Sequence, residues 1–155
     1  MNKNINKLIK ETIQDSSSVF QAILDNTDLC KRIHVASDLC IKAYNNKNKL
    51  LFCGNGGSAS DAQHLAAELL VRLRSNINRK SLPAIALTMD TSSLTASGND
   101  YSFEEYYSRI IEALSKPEDL LIAITTSGKS INIINALKMA KKLDITTIGL
   151  LGGTG

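Results

Sequence analysis

His64 and Glu68 stand one helical turn apart, with Asp61 before them and Arg72 after, and side chains three and four residues apart share a helix face. An imidazole and a carboxylate so placed can exchange a proton or ligate one metal ion. The spacing by itself is that of an ordinary solvated pair, and the HExxH pattern of a zinc helix is absent. What makes the pair informative is what precedes it. Leu50-Leu51-Phe52-Cys53 reads as a short apolar strand running into Gly54-Asn55-Gly56-Gly57-Ser58, and that turn opens the helix, predicted over Ser58 to Leu73. A glycine turn at a helix start lets backbone amides approach an anion. A proton-transfer pair is thus joined to an anion-sized turn, a combination suited to a small polar substrate.

A second loop has matching chemistry. Thr125-Thr126-Ser127-Gly128-Lys129-Ser130 follows one predicted strand and precedes a helix, so its hydroxyls and amides can converge on a phosphate at the positive end of that helix. The competing role for these residues is a Ser/Thr cap. Two nucleotide motifs are approached and missed. Gly54-x-Gly56-x-x-Ala59 fits a dinucleotide fingerprint, but the acid that should follow about 20 residues on has only Asp90 as a candidate, which comes too late. Gly128-Lys129-Ser130 looks like the tail of a Walker A loop, yet Ala123 stands where that pattern needs glycine, and the last strand ends in Gly152-Gly153 without a metal-holding Asp. A sugar phosphate needs only the hydroxyls and amides. Asn99 and Asp100, after Gly98, are expected to form a third polar turn or a helix cap.

The elements that must position these residues follow from periodicity. Ile5, Leu8, Ile9 and Ile13, then Phe20, Ile23 and Leu24, then Ile33, Leu39 and Ile41 recur at helix spacing, with a break expected at Ser16 to Ser18. Residues 1–48 are therefore predicted as a helical arm or hairpin whose apolar face must be buried on the domain or on another subunit, and a subunit interface in a homo-oligomer is favoured. From residue 49 to 155 short apolar runs at Leu50 to Cys53, Ala84 to Leu87, Leu120 to Ile124 and Ile145 to Leu151 alternate with helices at Ser58 to Leu73, Phe103 to Leu114 and Ser130 to Lys142. That alternation predicts one α/β domain, a three-layer αβα sandwich on a central parallel sheet. Its ligands gather at the carboxyl ends of the strands, where both loops lie.

Composition narrows the classes. A chain of 155 residues, 43% apolar and 21% charged, is that of a soluble globular protein. No apolar run approaches the roughly 20 residues of a membrane span, and the first residues lack a secretory signal, so a cytoplasmic location is expected. Cys30, Cys40 and Cys53 have no CxxC spacing and read as free thiols. A net charge of +3 without an arginine cluster or exposed aromatics argues against a nucleic-acid ligand.

Taken in order, the glycine turn, the His64/Glu68 helix, Gly98-Asn99-Asp100 and the Thr125 to Ser130 loop resemble the phosphoheptose isomerases of the sugar-isomerase (SIS) domain family, over nearly the whole chain. The resemblance implies conversion of sedoheptulose 7-phosphate to D-glycero-D-manno-heptose 7-phosphate for the heptose of bacterial surface polysaccharide. It implies a homotetramer with sites at subunit boundaries. By position, Asn55, Gly56, Gly57 and Ser58 would line the substrate site with Asn99 and Asp100 near the sugar, and Thr125, Thr126, Ser127 and Ser130 would hold the phosphate. Glu68 matches the proton-shuttling carboxylate, and His64 with Glu68 matches half of a zinc site. The family continues past Gly152-Gly153 into a further strand and a helix bearing a glutamine and a histidine, which these 155 residues do not contain. Two related classes compete: an assembly factor that binds the replication initiator DnaA and lacks the catalytic glutamate, and a phosphosugar sensor without turnover. The presence of Glu68 favours the enzyme.

Overall fold

Leu50, Phe52, Leu120 and Ile124 face one side of the sheet, and Leu51, Cys53, Leu121 and Ala123 face the other, as the two-residue period of a strand requires. Both sides are apolar, so both must be covered. The computed structural model describes residues 3–153, and the ends of the predicted domain, 1–2 and 154–155, lie outside them. It contains β1 (Leu50–Gly54), β2 (Ala84–Ala86), β3 (Leu120–Thr125) and β4 (Thr146–Leu151), all parallel, in the order β2-β1-β3-β4. α3 (Gly57–Leu70) covers one face through Ala62 and Ala66. α5 (Tyr106–Leu114) and α6 (Ile131–Lys142) cover the other through Tyr106, Tyr107, Ile111, Ile133, Ala136 and Ala140. The expected three-layer α/β sandwich is therefore present.

At the amino ends of the strands, Asp119 holds β1 and β3 together. Its buried carboxylate accepts from Lys49 N at 3.1 Å, from Lys49 Nζ, and from Lys116 N at 2.9 Å. Leu120 N donates to Lys49 O at 3.1 Å, which continues the strand register Leu50 to Leu120 outward by one bond.

Two compact units divide the chain, residues 1–38 and 39–155. In the first, α1 (Lys3–Asp25) runs without interruption through Ser16 to Ser18. The expected break fails because Ser16 and Ser18 turn their hydroxyls onto the carbonyls of Thr12 and Gln14, four residues back. The chain breaks instead at Asn26, whose side chain accepts from Leu29 N at 2.9 Å and starts α2 (Thr27–Asn45). Ile5, Leu8, Ile9, Ile13, Phe20 and Leu24 are each more than half exposed, so α1 presents an open apolar face. The last turns of α2 belong to the second unit, where Leu39, Cys40, Ala43 and Tyr44 join the core beneath α3.

One helix was not expected. α4 (Thr91–Asp100) follows β2, and a short 3-10 turn, Phe103–Glu105, leads from it into α5. Asp90 caps α4 by accepting from Ser92 N and Ser93 N at 3.1 and 3.2 Å, and Leu94 and buried Ser97 anchor it.

Candidate active site at the sheet crossover

The chain leaves β1 over one face of the sheet toward β2 and leaves the adjacent β3 over the opposite face toward β4. Neighbouring strands whose connections diverge open a crevice between their carboxyl ends, the usual ligand site of such sheets. The glycine turn and the hydroxyl loop are the two lips of this crevice, since Gly54 pairs with Ile124, next to Thr125.

The first lip depends on backbone packing. A Cβ on Gly54 would sit 2.4 Å from Ser58 O, so glycine allows the first turn of α3 to lie directly on the strand. Gly56, at φ +56°, adopts the left-handed region and occupies the N-cap of α3 without a side chain to cap it. Asn55 is half-buried, Gly56 and Gly57 are exposed, and Ser58 is buried. Tyr107 Oη donates to Gly54 O beneath the turn, and burial pushes its phenol well above the ordinary range.

In the second lip, Thr125 Oγ1 lies 3.3 Å from Ser127 Oγ and 3.1 Å from Ser130 Oγ, and Ser127 Oγ accepts from Lys129 N at 3.1 Å. Thr126 is exposed beside them. Ser130 is the N-cap residue of α6 but makes no side-chain capping bond; its hydroxyl belongs to the cluster, so capping does not account for it. Gly152 supports the loop from below, donating to Thr125 O at 3.0 Å, and a Cβ there would meet Thr126 O at 2.3 Å. Three hydroxyls and a helix start therefore face one place, an arrangement that suits a phosphate.

The predicted acid–base stripe is shorter than expected. α3 ends at Leu70, so Arg72 lies beyond the helix. His64 Nε2 and Glu68 Oε1 are 3.4 Å apart, with the His64 side chain 72% exposed and that of Glu68 26%; Asp61 is exposed. The helix ends here because distant groups satisfy its carbonyls: Arg79 Nη2 donates to Glu68 O at 2.7 Å, Arg79 Nη1 to Leu69 O at 2.8 Å, and Leu82 N to Leu69 O. At 1.5 Å per residue, Glu68 lies about 16 Å along the axis from the start of α3. The helix carries Glu68 away from the second loop, toward the segment that enters β2. Within one chain the two lips of the crevice come together and the carboxylate does not join them.

Asn99 and Asp100 stand at the end of a helix. They are the last residues of α4, not a free turn, and Asn99 Nδ2 donates to Asp100 Oδ1 at 2.7 Å. Asp100 lines a cavity of about 570 Å³ between α4 and α5 with Asp90, Tyr101 and Arg109, and none of the crevice residues contributes to it. Asp90 uses its carboxylate on the α4 cap, and the bonds from Ser93 hold it below the usual carboxylate range. That removes the one candidate for a ribose-binding acid.

The SIS domain family model matches residues 13–152. The chain belongs to the SIS domain family. The phosphoheptose isomerase of Sulfurimonas denitrificans is 48% identical to this SIS domain over 149 residues, 96% of this chain and 75% of that protein. That of Chlorobaculum parvum is 53% identical over 123 residues, 79% of this chain, which spans only 59% of the length of that relative. Among solved structures, the phosphoheptose isomerase GmhA of Neisseria gonorrhoeae superposes with a TM-score of 0.89 at 38% identity, covering 97% of this chain and 77% of that one. A phosphoheptose isomerase from Francisella tularensis gives 0.84 at 38% identity, with 96% and 77% covered.

Two residues of this SIS domain escaped the sequence analysis. Asn132, in the first turn of α6, exchanges two hydrogen bonds with Asn55. Arg79, in what reads as a polar connector, holds the carbonyl of Glu68. Neither carried a signal of spacing: the first pair is separated by 77 residues, and the arginine follows its helix by a loop. His64 and Glu68 supply two metal donors, and among the described residues no group of three His, Cys, Asp or Glu side chains could hold a metal. Because zinc requires at least three protein donors, the described residues alone do not build its site.

Proposed function

We propose that this protein is an aldose–ketose isomerase that converts sedoheptulose 7-phosphate to D-glycero-D-manno-heptose 7-phosphate. The observation that carries the reading is the hydroxyl cluster of Thr125, Ser127 and Ser130 set across a sheet crossover from the Asn55 turn, in a chain with close phosphoheptose isomerase relatives. The phosphate is received by the hydroxyls and the start of α6, and the sugar extends toward Asn55. Isomerisation then requires removal of a proton from carbon 1, beside the ketone, and its return to carbon 2 through an enediolate. Glu68 is the carboxylate assigned to that transfer, and His64 beside it can donate to an enediolate oxygen. A zinc ion held by His64 and Glu68 would stabilise the enediolate oxygens electrostatically and would need a further donor from outside the described residues.

The distance of Glu68 from its own crevice along α3 supports a composite site, in which one copy supplies the hydroxyl loop and another supplies His64 and Glu68. The exposed apolar face of α1 supports the same assembly, since such a face is covered in a stable protein; we take the assembly to be a tetramer. Asn99 and Asp100, set apart from the crevice, fit contribution to a neighbouring copy's site. No helix among the described residues is long and apolar enough to cross a membrane, and a cytoplasmic role in supplying heptose for surface polysaccharide is proposed with the activity.

The test is incubation of the protein with sedoheptulose 7-phosphate in heavy water, followed by proton NMR. Aldose formation with deuterium at carbon 2 is expected. Saturable binding without turnover would replace the enzyme with a phosphosugar sensor.

A further inference from the structure

Asn55 and Asn132 face each other across the crevice as a reciprocal amide pair. Asn55 Nδ2 donates to Asn132 Oδ1 and Asn132 Nδ2 donates to Asn55 Oδ1, each at 2.8 Å. Alone, such a pair could be turned over as a unit and keep both bonds. A third bond prevents this: Asn132 Oδ1 also accepts from the backbone N–H of Ile133 at 3.0 Å. The α6 backbone thereby fixes which end of the Asn132 amide is oxygen, and reciprocity passes that choice to Asn55. A side-chain amide has two N–H donors and two acceptor positions, so Asn55 keeps one of each, in a fixed order. Asn132 is only 3% exposed, whereas Asn55 is half-buried at the crevice; a ligand can touch the second and not the first.

We propose that Asn132 is a positioning residue that acts through Asn55, setting the orientation in which the Asn55 amide meets the hydroxyl and carbonyl oxygens of the substrate. The same pair ties the glycine turn to the helix that follows the hydroxyl loop, and so holds the sugar and phosphate ends of the crevice at one separation. This rests on the isomerase reading for its substrate, but not for its geometry.

The test is a cycle of wild type, Asn55→Ala, Asn132→Ser and the double variant, assayed with sedoheptulose 7-phosphate. Each single substitution is expected to lower kcat/KM about tenfold, and the double variant to fall within about twofold of Asn55→Ala, because groups that act as a unit are not additive. Inhibition by inorganic phosphate should change by less than about threefold in Asn132→Ser, since the three hydroxyls bond one another and not Asn132. Additive losses, or loss of phosphate affinity in step with turnover, would overturn the proposal by making Asn132 merely structural. A second arm needs no turnover. In 15N-labelled wild type the hydrogen-bonded side-chain amide proton of Asn55 and that of Asn132 should exchange with water about tenfold more slowly than the side-chain protons of exposed Asn46, and Asn55 should lose that protection in Asn132→Ser. Rapid exchange of both in wild type would overturn the pairing whatever the enzyme does. If wild type shows slow exchange but no isomerisation, the isomerase reading falls alone, and the same cycle is read on equilibrium binding of the phosphosugar, where additivity again refutes the proposal.

Discussion

Gly54→Ala is the sharpest perturbation of the crevice that leaves every polar group in place. The added Cβ would lie 2.4 Å from Ser58 O, 2.7 Å from Ser58 C and 2.9 Å from Ser58 Cβ, whereas ordinary contact begins near 3.4 Å. Two of those three atoms are backbone, so no rotamer change relieves the clash, and the start of α3 must retreat from β1 by about 1 Å. Overpacking of this kind costs about 1–3 kcal/mol, which in a chain of this size lowers Tm by about 5 °C. A 1 Å displacement of the turn and of the helix behind it should lower kcat/KM about 100-fold. The assay pairs thermal unfolding with steady-state kinetics. Gly98→Ala serves as the thermal control: its Cβ would have no atom within 4 Å, and a helix-interior glycine replaced by alanine should hold or raise Tm. Wild-type kcat/KM in Gly54→Ala would refute the argument that this contact sets the crevice.

Glu68→Gln should abolish isomerisation while phosphosugar binding survives, and normal turnover would remove Glu68 as the base. Thr126→Ala with Ser127→Ala should raise KM more than it lowers kcat, and an unchanged KM would remove the phosphate cradle. Each of these variants is inactive or weak alone, yet when subunits are mixed equally and reassembled, a composite site predicts recovery of about a quarter of the wild-type sites; no recovery would place the whole site within one chain. Burial pushes the Cys53 thiol up to about 12, so iodoacetamide at pH 8 should label exposed Cys30 rapidly and Cys53 only on unfolding. Mass spectrometry showing early modification of Cys53 would contradict its place in the core.

The strand–turn–helix units were legible because their signals are local. Continuous apolar runs at Leu50 and Leu120 identify strands covered on both faces, and glycine or hydroxyl clusters after them mark the loops. α4 was not legible because Thr91-Ser92-Ser93-Leu94-Thr95-Ala96-Ser97-Gly98 is poor in helix formers; the Asp90 cap and the burial of Ser97 override that propensity. The end of α3 was misjudged for a related reason, since Leu82 and Arg79 close it from a distance. Candidate residues on the loops stand out by type, but which of them meet is a matter of topology. The strand order brings Asn55 to Asn132 across 77 residues, and the length of α3 takes Glu68 away from a turn that adjoins it in sequence.

Asp119 gives the molecule a form of quality control at the end of the sheet opposite the crevice. It ties Lys49 to Lys116 at the entrance of β1 and β3, beside the bond from Leu120 N to Lys49 O. A slip of one residue between those strands would move the two lips past each other by about 3.3 Å and turn each apolar side chain to the wrong face. Such a molecule would not be a slower enzyme but a misassembled one. Damage at position 119 should therefore appear as a smaller fraction of competent molecules with ordinary turnover in each, a defect of yield that titration of binding sites would separate from a defect of rate.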